Sequence, residues 1–270
     1  MSESPVMFNL LQNLLPVTKE LEVNPMGEVR RLYAGVGLPS LRVAEVQMPG
    51  SCLPPAIQIQ RFSEHATIRQ LCDAPAFLAH YRVLRRKALQ GDVDAINDLG
   101  WLWLNGHMLE PDYACARKLF KLAIAEGSSE ALFNLAEQYY YGKGIAVDLH
   151  LAADYYRLAY DAGLVPAARM LGDIYEVWHC RELEDPYLVA EWYRRAAEGG
   201  DLEAAYLLGC HLLKDGDFTH DEPSALYWLQ HTALHGHAAA AERLAEFFEG
   251  SVDYGPKAQR LAEFWRRLEM

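Results

Sequence analysis

Residues 127–162 read GSSEALFNLAEQYYYGKGIAVDLHLAADYYRLAYDA and hold two helical patterns joined by a glycine-rich turn. In the first half, Ala131, Leu135, Ala136 and Tyr139 are spaced by threes and fours, so they share one face of a helix. In the second half, Ala152, Tyr155, Tyr156 and Ala159 do the same. Gly142 and Gly144 lie between, where a left-handed residue can close a helix.

The pattern recurs along the chain. Gly127 has counterparts in Gly91, Gly163, Gly200 and Gly236, at spacings of 36, 36, 37 and 36 residues. Four residues after each glycine stands an alanine: Ala95, Ala131, Ala167, Ala204 and Ala240. Four further on comes a leucine: Leu99, Leu135, Leu171, Leu208 and Leu244. A small residue follows at once, in Gly100, Ala136, Gly172, Gly209 and Ala245. Then comes a large one, in Trp103, Tyr139, Tyr175, Leu212 and Phe248. The small residues admit a second helix at close range, and the large ones fill the space between helices. That second helix has its own inner face: Ala116, Leu119, Phe120 and Ala123 match Val189, Trp192, Tyr193 and Ala196, and also Ala225, Trp228, Leu229 and Thr232.

The prolines fit this frame. Eight of 13 lie within the first 75 residues. Of the rest, Pro166 stands where a first helix begins; Pro111, Pro186, Pro223 and Pro256 stand just before a second helix. Helix starts tolerate proline and helix interiors do not. One helix pair cannot bury its apolar face alone, and stacked copies can. The expected fold is therefore an all-α solenoid of helix–turn–helix repeats near 91–126, 127–162, 163–199, 200–235 and 236–270.

Segments such as EALFNLAEQYYYGKGIAVDLHLAADYYRLAYDAG and VAEWYRRAAEGGDLEAAYLLG resemble Sel-one-like repeats, relatives of the tetratricopeptide repeat. The resemblance covers residues 91–270, and residues 75–90 look like a lone second helix ahead of the array. Trp178 departs from it, standing where a loop glycine belongs. The resemblance implies a right-handed superhelix and a protein-binding scaffold in which the first helix of each pair lines a concave groove. Alignment with the tetratricopeptide pattern puts Trp101, Phe133, Glu137, Tyr140, Tyr141, Arg169, Asp173, Glu176 and Tyr206 on that groove. Glu242, Glu246 and Glu249 continue it. Aromatic anchors on an acidic face imply a partner segment with basic and apolar side chains. The alternative use for each aromatic is core packing between neighbouring first helices.

The first 74 residues do not repeat. MSESPVMFNLLQNLLPVTKE lacks a basic start and reads as an amphipathic helix with Val6, Leu10 and Leu14 on one side, not as a secretory signal. SLRVAEVQM and AIQIQRF alternate apolar and polar residues, consistent with a hairpin across PGSCLPP or with irregular structure on the first repeat. The segment is either an N-terminal cap on the stack or a separate partner-binding element.

Composition narrows the function classes. With 25 basic and 37 acidic residues the net charge is −12, which argues against nucleic acid as partner. The densest basic cluster, Arg82, Arg85, Arg86 and Lys87, reads as a solvated helix face. No run of 18 apolar residues predicts a membrane span. Cys52, Cys72, Cys115, Cys180 and Cys210 are irregularly spaced and form no disulfide framework, so a reducing cytoplasm is expected. The cysteine-rich branch of the superfamily, for which a β-lactamase-like hydrolase activity has been proposed, has paired cysteines in each repeat. This chain does not, which favours a scaffold over an enzyme. No phosphate loop, nucleophile elbow or paired-histidine zinc helix is recognised, and neither a cofactor nor a metal is expected. The neighbours His179–Cys180 and Cys210–His211 lack any zinc spacing.

Overall fold

The computed structural model describes residues 11–15, 74–106, 109–176, 185–214, 219–251 and 254–268. Beyond a helical turn at 11–15, these residues form helices and no strand. Helix α1 spans Ala74–Leu89 and precedes the repeats. The first helices of the repeats are α2 Val93–Asn105, α4 Ser129–Tyr141, α6 Pro166–Glu176, α8 Leu202–Leu212 and α10 Ala238–Gly250. The second helices are α3 Tyr113–Ala125, α5 Leu149–Asp161, α7 Pro186–Glu198, α9 Glu222–Leu234 and α11 Pro256–Leu268. The chain is an all-α repeat solenoid, with the five helix pairs that the register predicts.

Two compact units divide it, Met1–Ala162 and Gly163–Met270. In the first, α1 packs on α2, α2 on α3, α3 on α4 and α4 on α5. In the second, α6 through α11 pack each on the next.

The repeat positions make the core. All five register alanines and all five register leucines are buried. The small residues do what their size permits. A Cβ on Gly100 would lie 2.6 Å from the Phe120 ring, and one on Gly209 would lie 2.6 Å from Leu229 Cγ. At Gly172 it would run into the Tyr193 ring. Most second-helix positions are buried as expected, but Tyr155 and Trp228 are only half-buried. Tyr155 instead stacks on Tyr139, with ring centroids 5.7 Å apart.

Helix ends follow from local chemistry. Asp112, Asp148, Asp185 and Asp221 each accept backbone N–H bonds at the start of a second helix. Each also ties its own N–H back to the carbonyl of the large register residue on the preceding first helix: Trp103, Tyr139, Tyr175 and Leu212. One aspartate thus caps a helix and sets the turn before it. Gly142 closes α4 at φ 67°, a conformation that side-chain-bearing residues rarely adopt.

The turn at 11–15 belongs to the first unit and packs within it. Leu11 and Leu15 are buried, so the inward stripe runs one residue off the predicted Leu10–Leu14 line. Arg85 Nε donates to the Leu15 carbonyl at 3.0 Å. Cys115 Sγ lies 3.8 Å from the Leu14 carbonyl. Arg82, Arg86 and Lys87 are exposed, as a solvated face requires. The predicted hairpin across 49–55, and Trp178, His179 and Cys180, lie outside the described residues.

Candidate protein-binding faces

In the first unit, the proposed groove positions sit on α2 and α4, and most have gone into the interior. Trp101 is 3% exposed and Phe133 6%. Phe133 sets its ring edge-on to Tyr156 of α5, with centroids 5.1 Å apart, so it packs within its own helix pair. Glu137 is fully buried. Burial pulls the Lys143 ammonium below its ordinary value, while the Glu137 charge acts to raise it. These three residues therefore do not line an open groove: large rings gain more from close packing than from exposure, and Glu137 lies beneath the surface. Beside them, Asn134 Nδ2 donates to Asn97 Oδ1 at 2.8 Å and ties α4 to α2. Gln138 Nε2 donates to the Tyr113 carbonyl at 3.1 Å and ties α4 to α3. Only Tyr140 and Tyr141 keep half-exposed positions. Their rings meet edge-to-face at 4.8 Å, and Lys143 Nζ lies 5.6 Å from the Tyr141 ring centre.

The second unit is different. Arg169 is buried, but it is occupied: its Nε donates to Asp201 Oδ2 at 2.9 Å, and its Nη1 lies 4.0 Å from Asp173 Oδ2. Asp201 uses its other oxygen to cap α8 through the Ala204 N–H at 3.0 Å. Arg169 is thus a tie between α6 and the start of α8, not a hook for a partner. Asp173 and Glu176 follow on the same helix, and Tyr193 of α7 reaches both. Its hydroxyl is 2.9 Å from Asp173 Oδ1 and 2.9 Å from Glu176 Oε2.

A phenol has one proton, so it cannot donate fully to two carboxylates. The two acids divide accordingly. Burial pushes the Asp173 carboxyl up to about 6 against the opposing pull of Arg169. Glu176 is pulled down to about 2 by His211 and by the Lys214 ammonium, which lies 2.7 Å away. His211 Nδ1 is 3.9 Å from Glu176 Oε1, a separation longer than a hydrogen bond. Its Nε2 lies 3.1 Å from the Pro186 carbonyl and 3.3 Å from Thr219 Oγ1. Burial and both carboxylates push the Tyr193 hydroxyl upward, which keeps it a donor.

On α8, Tyr206 is half-exposed and stacks on His237, with centroids 4.7 Å apart. His237 Nδ1 accepts the Ala240 N–H at 3.3 Å, so its Nε2 carries the proton toward Glu203 Oε2, 3.2 Å away. Glu242, Glu246 and Glu249 of α10 are exposed. The structure therefore joins Asp173 and Glu176 into one acidic site through Tyr193, and Tyr206 stands on the next first helix against His237. Asp201, Tyr193 and His211 belong to this network: the register gave Tyr193 to the inner face of a second helix, His211 was weighed only as the neighbour of Cys210, and Asp201 had no reading of its own. The recurring position of Asp201, one residue after an opening glycine, was the available signal.

The family model for the Sel1 repeat matches residues 93–128, 129–164, 190–201 and 202–237. The matched segments are similar to Sel1 repeats. A crystal structure of a Sel1 repeat protein from Oxalobacter formigenes is similar over 76% of this chain and 83% of that one, with a TM-score of 0.60 and 23% identity, and it supports the fold. The immunity protein Pa5087 from Pseudomonas aeruginosa aligns over 81% of this chain and 83% of its own, with a TM-score of 0.45 and 19% identity. The ERAD-associated E3 ubiquitin-protein ligase component HRD3B from Arabidopsis thaliana is 29% identical over 103 residues, or 38% of this chain. That stretch spans only 17% of the plant protein. Sel1 repeat proteins generally mediate protein–protein interaction and are generally non-enzymatic. Among the described residues, no helix is long and apolar enough to cross a membrane.

Proposed function

We propose that this Sel1 repeat chain is a non-enzymatic scaffold that works in the cytoplasm and holds a protein segment bearing basic and apolar side chains. The observation that carries the reading is the acidic pair Asp173 and Glu176 on α6, half-buried and fixed by Tyr193, with the half-exposed Tyr206 ring on α8. A positioned carboxylate pair selects a cationic side chain and speeds encounter. A part-desolvated aromatic ring supplies contact energy. Tyr140 and Tyr141 offer a second aromatic surface on the first unit. Trp101, Phe133, Glu137 and Arg169 are supports rather than contacts.

Affinity purification of the full chain, compared with Glu176→Gln and Tyr206→Ala, tests this. A protein retained by the wild type should be depleted from both variants, each of which should bind about 5–30-fold more weakly, equivalent to about 1–2 kcal/mol. Equal recovery from all three would place the partner on another surface.

A further inference from the structure

The segment HTALH, residues 231–235, sets two histidines four residues apart at the end of α9. A zinc-hydrolase helix also spaces its histidines by four but adds a glutamate between them, and that full pattern is absent here. The spacing alone puts both rings on one side of a helix, one turn apart. The structure brings them together: the centroids of His231 and His235 are 4.4 Å apart, with the rings tilted by 38°.

Each ring is oriented by its surroundings. His235 is exposed, and its Nδ1 lies 2.7 Å from the His231 carbonyl. A carbonyl only accepts, so Nδ1 must carry the hydrogen, and in the neutral ring the lone pair is then on the outward Nε2. Metal-ligating histidines are commonly oriented in this way, through a hydrogen bond from the other ring nitrogen. His231 is half-buried and its Nδ1 is enclosed without a partner, which leaves its Nε2 edge for a ligand. Its ring is bounded by Tyr227, stacked at 6.3 Å, and by Trp228, edge-on at 6.1 Å. The site also lies at a helix C-terminus, where the backbone dipole favours a cation.

We propose that His231 and His235 chelate a borderline divalent metal ion, of the Cu2+, Ni2+ or Zn2+ class, through their Nε2 atoms, with water completing the coordination shell. Imidazole suits this class, whereas Mg2+ and Ca2+ require oxygen donors. Two nitrogens on one helix turn make a site that is open on the solvent side. The inference is independent of the partner-binding reading, because α9 carries none of the residues invoked there.

The test uses the untagged full chain after chelator treatment, titrated with CuCl2 and followed by calorimetry, by electron paramagnetic resonance and by tryptophan fluorescence. The wild type should bind Cu2+ with two nitrogen couplings in the spectrum, and Trp228 should be quenched. His231→Ala and His235→Ala should each weaken the site on the order of 100-fold, since each removes the gain from linking two ligands. Alanine favours helix, so circular dichroism of both variants should match the wild type. His220→Ala, outside the pair, should bind as the wild type does. Wild-type affinity in either pair variant, or loss of the site in His220→Ala, would overturn the assignment.

Discussion

The two compact units share one register and use its first-helix positions differently. On α4, Phe133 and Glu137 are enclosed; on α6 and α8, Asp173, Glu176 and Tyr206 keep part of their surface in water. The register says which turn a residue occupies and toward which side it starts. It does not say what the side chain then meets. Phe133 meets Tyr156 and joins the core. Tyr206 stacks on the flat face of His237 and keeps part of its surface in water. A binding surface in such repeats is therefore defined by what is left over after packing, and substitutions can separate the two roles.

The largest contrast is between those two rings. Phe133→Ala should lower the unfolding free energy by about 3–5 kcal/mol, the range for truncating a buried aromatic. Tyr206→Ala should cost less than about 1 kcal/mol, since its ring is half-exposed. Urea denaturation of the two variants checks this directly. Similar losses would erase the distinction between supporting and contacting residues.

A second test loads the close approach under the acidic site. Gly172 faces the Tyr193 ring, and Gly172→Leu should cost about 3 kcal/mol by overpacking it. The Tyr193 hydroxyl would also be displaced from Asp173 and Glu176, so partner binding should fall along with thermal stability. Unchanged stability would mean that the α6–α7 approach is looser than the geometry shows.

Arg169 sharpens the comparison further, because its register position is a groove position and its contacts are internal. Arg169→Met leaves Asp201 and Asp173 without their counter-charge. Breaking a fully buried pair costs about 3–5 kcal/mol, and with the Asp173 side chain 25% exposed the expected loss is about 2 kcal/mol. Thermal melts should show it, and Arg169→Lys should recover part of it. A variant that keeps its stability but loses the partner would return Arg169 to the binding surface.

Much of the fold was legible because it depends on recurring size. Ala131, Leu135 and Gly172 hold positions that admit a narrow range of volume, so similar residue types return every 36 or 37 residues. The capping aspartates Asp112, Asp148, Asp185 and Asp221 recur just as regularly, and they show in the sequence once the second helices are placed. The site was legible only in part. Asp173, Glu176 and Tyr206 could be placed on first helices by counting. Tyr193 could not be recognised as their link, because at its position a tyrosine and the leucine of the next repeat, Leu229, pack equally well. Only the hydroxyl differs, and its targets lie 17 and 20 residues away in the chain. Burial of Trp101 and Glu137 was likewise invisible, since it depends on neighbours that spacing does not name.

The smallest expected effect concerns the proton shared in that site, and its sign follows from the two shifted acids. Asp173 titrates near 6 in the folded chain, against an ordinary value of 3.8. Between those values the folded chain holds a proton that the unfolded chain has released, so stability falls as pH rises through this window and is level above it. Glu176 works in the opposite sense: its value of about 2, against an ordinary 4.5, contributes stability that is present above 4.5 and is lost as pH falls toward 2. From pH 4.5 to 6, then, only Asp173 of this pair changes the balance. Asp173→Asn keeps an oxygen for the Tyr193 hydroxyl and removes the titration. Relative to the wild type, the variant should gain stability between pH 4.5 and pH 7, by no more than about 1 kcal/mol once solvent screening of a part-exposed carboxylate is allowed for. The check is the Tm difference between variant and wild type at the two pH values. The same difference at both would mean that Asp173 is ionised across the whole range, and that Tyr193 donates to it rather than to Glu176.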